Sequence, residues 1–131
     1  MGAVQAESVV HKKEIGTQSK VVLLEFWGTW SGRCRESIPF LNALQDKYSS
    51  RGFTVYAVSS EKPEVLTQFC SRNRINYPVA SDKNLIKRFT VELIPMAYLI
   101  DRNGTVIWEG LPQQVPEDLI QKAVGGRAGL N

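Results

Sequence analysis

The sequence predicts an α/β fold with a central mixed β-sheet and helices on both faces. Two apolar runs, residues 21–27 and 53–58, are each followed by a segment with helical spacing. Continuous apolar runs of this length are typical of strands that are buried on both faces of a sheet. A third run, residues 96–100, leads into the turn signal D-R-N-G and a returning strand at 105–109, which predicts an antiparallel hairpin. Alternating β-α units followed by a hairpin require strands of both directions.

The chain of 131 residues suits a single domain. We expect its core to span about residues 18–125. Residues 8–15 are predicted to form a short edge strand, and residues 16–20 form a polar break before the first buried strand. From Gly125 onward the sequence is typical of a flexible C-terminal tail.

The first long helix is predicted from Cys34 onward. Apolar side chains then recur at three- and four-residue spacing, at Cys34, Ile38, Leu41, Leu44 and Tyr48. This spacing places them on one face of a helix. Pro39 predicts a kink in the early turns, and the polar segment at 49–52 ends the helix.

Further elements are predicted in the second half of the chain. Helices are expected at 63–73, 84–89 and 116–124, with a short extended piece at 77–80. The apolar face of the helix at 63–73 consists of Val65, Leu66, Phe69 and Cys70. Cys70 is therefore interpreted as a core residue rather than as a reactive thiol.

Composition excludes several classes of function. Hydrophobic residues make up 43% and charged residues 22%, which is ordinary for a soluble globular protein. No apolar run reaches the roughly 18–20 residues that a membrane span needs. The net charge of +3 is small and its Lys and Arg are scattered, so a nucleic-acid partner is not expected. Two cysteines and one histidine predict neither a disulfide scaffold nor a metal site, and no cofactor is expected.

Residues 31–34 place a thiol where a strand ends and a helix begins. Ser31 is a suitable N-cap, and Cys34 would then be at position N3. Free N–H groups and the helix dipole favour a thiolate there, and Arg33 and Arg35 add positive charge. A serine cap followed by a cysteine that only packs in the core is the alternative. Trp30 favours a binding site, since a large aromatic side chain in a loop beside a thiol suggests a ligand.

The segment E-F-W-G-T-W-S-G-R-C-R-E-S-I-P, residues 25–39, resembles the active-site segment of the thioredoxin superfamily. It is most similar to the thiol-disulfide oxidoreductases of the TlpA/ResA type, which carry W-C-x-x-C. The segments I-N-Y-P-V at 75–79 and I-P-M-A-Y-L-I-D-R-N-G at 94–104 resemble further motifs of that family. The resemblance covers roughly residues 18–125 and implies a thioredoxin-like three-layer fold.

The resemblance implies roles for residues that lie far apart in the sequence. Pro95 is expected to be a cis-proline that faces the active site. Ile94 would line a substrate groove with Trp30, Gly32 and Arg33. The implied partners are protein thiols or disulfides, and a monomer is expected.

Glu25 interrupts an otherwise apolar strand, and a lone buried carboxylate is costly unless it is paired or protonated. By the resemblance it matches the buried acid beneath the dithiol, which would exchange a proton with Cys34. The alternative is a carboxylate that reaches the surface or pairs with Lys or Arg. If Glu25 is buried, its pKa should be raised.

The chain departs from the family pattern at Ser31, which stands where the nucleophilic cysteine is expected. A hydroxyl cannot form a disulfide, so no dithiol cycle between Ser31 and Cys34 is possible. Three interpretations stay open: an engineered Cys-to-Ser variant of an active oxidoreductase, a natural one-cysteine peroxidase that uses Cys34, and a redox-inactive module that binds client chains.

The expected location is exported, periplasmic or extracytoplasmic, because the resemblance is to proteins that are often exported or membrane-tethered. A cytoplasmic location is the alternative. The first residues lack the apolar core of a signal peptide, whereas Val4-Gln5-Ala6 resembles the small-residue end of a signal cleavage site.

Overall fold

The computed structural model describes residues 8–125, and within them the chain forms one six-stranded sheet. The strands are β1 (Ser8–His11), β2 (Val21–Phe26), β3 (Phe53–Ser59), β4 (Val79–Ser81), β5 (Met96–Ile100) and β6 (Val106–Gly110). They lie in the order β1-β4-β3-β2-β5-β6. β2, β3 and β4 are parallel, while β1, β5 and β6 each pair antiparallel with their neighbours. The predicted mixed sheet and the antiparallel hairpin are confirmed.

Helices cover both faces of this sheet. They are α1 (Gly32–Tyr48), α2 (Pro63–Arg72), α3 (Lys83–Arg88) and α4 (Glu117–Gly125), with 3₁₀ turns at Ser49–Arg51 and Pro112–Gln114. Side chains of α1, α2 and α4 pack with alternate sheet residues such as Leu23 and Val55 in one core. The intervening sheet residues, such as Leu24 and Tyr56, pack with α3 in a second core. Side chains alternate between the faces of a strand, so each inner strand supplies both cores.

The start of α1 has the predicted cap. Ser31 has extended backbone dihedrals (φ −94°, ψ 120°), and its side chain accepts a hydrogen bond from the backbone N–H of Cys34. Cys34 is therefore at position N3. The five predicted apolar residues of this helix are all buried. The helix continues through Pro39 to Tyr48.

The hairpin turn between β5 and β6 is built around Asp101. Its Oδ1 accepts hydrogen bonds from the backbone N–H groups of Asn103 (2.9 Å) and Thr105 (3.0 Å). Gly104 adopts φ +86°, a conformation that residues with a side chain rarely adopt. The D-R-N-G segment thus turns the chain as its sequence predicts.

Two predicted elements differ from the structure. The edge strand expected at 8–15 ends at His11, because Lys12 takes a positive φ of 53° and the chain turns there. Val65, which was assigned to the apolar face of α2, is exposed, and only Leu66 is fully buried on this helix. Phe69 and Cys70 are half-buried and pack against the core. The predicted tail beyond Gly125 and the segment Val4–Ala6 lie outside the described residues.

Candidate functional site

The topology brings the start of α1 together with the chain before β5. β2 leads through a short loop into α1, and β2 pairs with β5 so that Phe26 is the register partner of Met96. Pro95 directly precedes Met96, and the Ile94–Pro95 peptide bond is cis. Two segments more than sixty residues apart in the sequence therefore meet at the carboxyl end of β2.

Cys34 lies at this junction and is only 1% exposed. Its backbone N–H donates to Ser31 Oγ over 3.3 Å, and Ser31 N–H donates to the Gly28 carbonyl over 3.2 Å. Its thiol is hydrogen-bonded by the Ser31 side chain and by the backbone of Gly28. The thiol is thus held between the helix cap and the preceding loop.

The prediction that this site favours a thiolate is wrong. Burial raises the pKa of Cys34 above its ordinary value, and the charges of Glu25 and Glu61 raise it further. The hydrogen bonds from Ser31 and Gly28 lower the pKa but do not outweigh burial. A sulfur enclosed in apolar surroundings loses the hydration that stabilises its anion. At neutral pH the thiol form predominates.

Glu25 is a buried acid, which decides between the two interpretations of the sequence. It is 2% exposed and is the last residue but one of β2. Its register partners on the neighbouring strands are Ala57 and Ala97, whose small side chains leave room for a carboxyl group. The carboxyl atom Oε2 has no hydrogen-bond partner. Burial raises the pKa of Glu25 from 4.5 to about 8, so the group is mostly protonated at pH 7.

The residues predicted for the substrate groove surround the same loop. Trp30 is 70% exposed, whereas Pro95 is buried and Ile94 half-buried. A Cβ atom on Gly28 would lie 2.6 Å from Trp30 Nε1 and 3.3 Å from Ile94 Cδ1. A side chain at position 28 would therefore displace the Trp30 ring and crowd Ile94. Gly32 and Arg33 are exposed in the first turn of α1.

Two further titratable side chains share the core with Cys34. The pKa of the buried Tyr77 hydroxyl is raised well above its ordinary value by burial and then by the charges of Glu25, Cys70 and Cys34. Burial raises the pKa of Cys70 to about 11. Cys70 is half-buried against the core, in agreement with its interpretation as a packing residue.

Sequence reasoning missed Glu61, which contacts the loop before α1. Its carboxylate accepts hydrogen bonds from the backbone N–H and the hydroxyl of Thr29, over 2.9 and 2.6 Å. The two residues are 32 positions apart, and nothing in their local sequence signals the pairing. Only the parallel arrangement of β2 and β3, which ends both strands at the same edge, indicates that their following loops meet.

Among residues 8–125, no group of three or more His, Cys, Asp or Glu side chains could hold a metal ion. In the same part of the chain, none of the helices has the length and apolar character needed to span a bilayer.

The order of the mixed sheet and the cysteine in the capped first turn of α1 define a protein of the thioredoxin-like class. Residues 4–109 match the model of the AhpC/TSA family, and the chain belongs to that family. It is 34% identical over 105 residues to the thiol-disulfide oxidoreductase ResA of Bacillus thuringiensis subsp. konkukian (strain 97-27). This match covers 78% of the chain and 61% of the relative, so the chain spans less than two thirds of that protein's length.

Solved structures agree with this assignment. A crystal structure described as the thiol:disulfide interchange protein DsbE of Chlorobium tepidum matches with a TM-score of 0.80 and 29% identity, over 95% of this chain and 96% of that chain. A thiol-disulfide isomerase from Corynebacterium glutamicum matches with a TM-score of 0.75 and 19% identity, over 95% and 94% of the two chains, which supports the fold.

Proposed function

We propose that this chain is a thiol-disulfide oxidoreductase domain of the ResA type in which Cys34 is the one thiol of the site. The observation that carries the proposal is the Ser31 hydroxyl. It occupies the N-cap position, hydrogen-bonded to Cys34, where the family pattern has the attacking cysteine. Because serine offers no sulfur, an internal disulfide at positions 31 and 34 cannot form.

Cys34 alone supports half of a disulfide-exchange cycle. Its thiolate attacks one sulfur of a client disulfide, a new S–S bond to Cys34 forms, and the client's other sulfur leaves as a thiolate that takes up a proton. Resolution requires a second thiol to attack that mixed disulfide. Since position 31 carries a hydroxyl, we expect the mixed disulfide to persist and net turnover to be absent.

Glu25 is proposed as the proton partner of this thiol. With a pKa of about 8 it can accept or return a proton within the neutral range, and its charge raises the pKa of Cys34. Mixed-disulfide formation should be slow, because burial raises the pKa of Cys34, and ionisation of Glu25 at higher pH disfavours the thiolate further.

Protein thiols and disulfides are the proposed partners. Trp30 and Leu93 are 70% and 81% exposed, on the two loops that flank the buried sulfur. An extended client chain would lie between these apolar side chains and beside Ile94 and Pro95. In keeping with the TlpA/ResA resemblance, we propose that the domain works outside the cytoplasm.

The experiment compares the protein with Ser31→Cys in an insulin-reduction assay driven by dithiothreitol. We expect no turnover above background for the protein and strong turnover for the variant, which Cys34→Ala then abolishes. Equal activity of the protein and Ser31→Cys would contradict the proposal.

Two other functions predict different results with the unmodified sequence. A one-cysteine peroxidase would consume hydrogen peroxide and lose this activity on Cys34→Ala. The raised pKa of Cys34 argues against it, because the thiolate is the attacking species. A redox-inactive binding module would show neither activity and would keep its affinity for clients after Cys34→Ala.

A further inference from the structure

The loop between β2 and α1 is held by Glu61, two residues beyond β3. Glu61 Oε1 accepts from the backbone N–H of Thr29 and Oε2 accepts from its hydroxyl. Ser59 Oγ also donates to Oε1, over 2.8 Å. A two-point contact of this kind fixes both the backbone and the side chain of Thr29, and bonds to an ionised acceptor are stronger than neutral ones.

Glu61 itself is anchored to the sheet edge. Its backbone N–H donates to Ser59 Oγ over 3.0 Å, and its carbonyl accepts from Ser81 Oγ on β4 over 2.6 Å. The carboxylate therefore projects from a backbone that two neighbouring strands hold in place. The hydrogen bonds that hold the Glu61 backbone involve neither α1 nor the loop that contains Thr29.

The other side of Thr29 is held by a charge of opposite sign. Arg35 Nη1 donates to the Thr29 carbonyl over 2.9 Å, and Arg35 directly follows Cys34 on α1. Residues on both sides of Thr29 belong to the site: the Gly28 backbone hydrogen-bonds the thiol, and Trp30 is the exposed aromatic side chain.

We propose that Glu61 is a positioning residue of the Cys34 site, acting through Thr29 to fix the loop that brings the Gly28 backbone against the thiol and presents Trp30. This inference rests on the proposed function in so far as Cys34 is the thiol that exchanges with clients. Glu61 contacts neither the sulfur nor a client in this scheme.

Three substitutions separate the hydrogen bonds between Glu61 and Thr29 from the negative charge of Glu61. Glu61→Gln keeps an oxygen that can accept from the Thr29 N–H but removes the negative charge. The charge of Glu61 is one of the influences that raise the pKa of Cys34. Glu61→Ala removes both. Thr29→Val removes the hydroxyl contact and leaves the backbone contact. Glu64→Gln, an exposed carboxylate in the first turn of α2, is the matched control.

The experiment measures two quantities in each variant: hydrogen exchange of the Thr29 amide by NMR, and the pH dependence of iodoacetamide alkylation at the Cys34 peptide by mass spectrometry. We expect Glu61→Ala to speed exchange of the Thr29 amide by about tenfold or more, as the loss of a charge-assisted hydrogen bond implies. In Thr29→Val the increase should be smaller. Glu61→Gln, which keeps an acceptor for the Thr29 amide, should speed exchange less than Glu61→Ala. In Thr29→Val, which keeps the Glu61 charge, loosening of the Gly28 hydrogen bond that lowers the pKa of Cys34 should move the alkylation midpoint to higher pH, while Glu64→Gln should change neither quantity.

Unchanged exchange of the Thr29 amide in Glu61→Ala, or an alkylation midpoint in Thr29→Val equal to that of Glu64→Gln, would overturn the proposal. If Glu61→Ala does not fold, faster exchange of the Thr29 amide and a shifted alkylation midpoint in Thr29→Val support the proposal, and the absence of either overturns it. Neither measurement uses a disulfide substrate. Failure of the disulfide assay with these responses intact would therefore contradict the proposed function and leave this inference standing.

Discussion

At the scale of single residues, the site combines two groups whose neutral forms are favoured by burial. Glu25 and Cys34 are both almost fully enclosed, and both have raised pKa values. The carboxyl group costs much more stability once it ionises, since Oε2 has no hydrogen-bond partner to stabilise the charge. This cost makes Glu25 a source of pH-dependent stability.

We predict that Glu25→Gln flattens the dependence of stability on pH. The folded pKa of about 8 lies above the ordinary value of 4.5, so the folded protein holds this proton more tightly than the unfolded chain. Stability from this group is complete below about pH 4.5 and is lost as the pH rises through 8. The loss amounts to about 1.4 kcal/mol per pH unit within that window.

The measurement is urea unfolding of both proteins between pH 5 and 9, a range that spans the folded pKa of about 8. The difference in free energy of unfolding between Glu25→Gln and the parent should change in favour of the variant up to about pH 8 and stay constant above it. Glu64→Gln, an exposed carboxylate, is the control. Parallel curves for Glu25→Gln and the parent would show that the carboxyl group is not buried in solution.

At the scale of elements, α1 is held at both ends by different means. Its N-terminus is capped by the Ser31 side chain. Near its C-terminus, the Tyr48 hydroxyl donates to Glu117 of α4 and accepts from Gln121 over 3.0 Å. The neighbouring ion pair of Lys47 with Glu117 is exposed and contributes little, so α4 is held chiefly by its buried apolar residues.

The cap predicts an effect of Ser31 that is separate from redox chemistry. Ser31→Ala removes the acceptor for the Cys34 N–H and should lower the free energy of unfolding by about 1 kcal/mol. The same change removes a hydrogen bond that lowers the pKa of Cys34, so alkylation of this thiol should need a higher pH.

Ser49→Ala is the matched control, because it makes the same substitution at the C-cap of the same helix, where the side chain is exposed. Urea midpoints of the two variants give the comparison. If Ser31→Ala unfolds at the same urea concentration as Ser49→Ala, the cap bond does not stabilise α1.

At the scale of the whole molecule, the sheet decides which distant residues meet. Apolar runs and helical spacing predict the strands and helices well, because burial on a sheet or helix face leaves a periodic pattern in the sequence. The cap at Ser31 and the buried acid at Glu25 were also accessible from the sequence, since each breaks or ends such a pattern.

The remaining features depend on tertiary contacts that leave no periodic signal. The contact of Glu61 with Thr29 joins two loops, and the raised pKa of Cys34 follows from enclosure by side chains drawn from several elements. The local sequence of Cys34 displays the helix terminus and the nearby arginines, which favour a thiolate, but it does not display desolvation by residues from distant elements. In the structure, burial is the largest influence on this thiol.

The central claim is that position 31 is the place of a missing sulfur in a dithiol site. Oxidation of Ser31→Cys with a mild disulfide reagent, followed by peptide mass mapping, tests it most directly. The account predicts a monomeric variant whose mass is lower by two hydrogen atoms, with a disulfide between positions 31 and 34 and with Cys70 still a free thiol. A sulfur at position 31 that stays reduced, or that bonds to Cys70 or to a second molecule instead of to Cys34, would contradict the account.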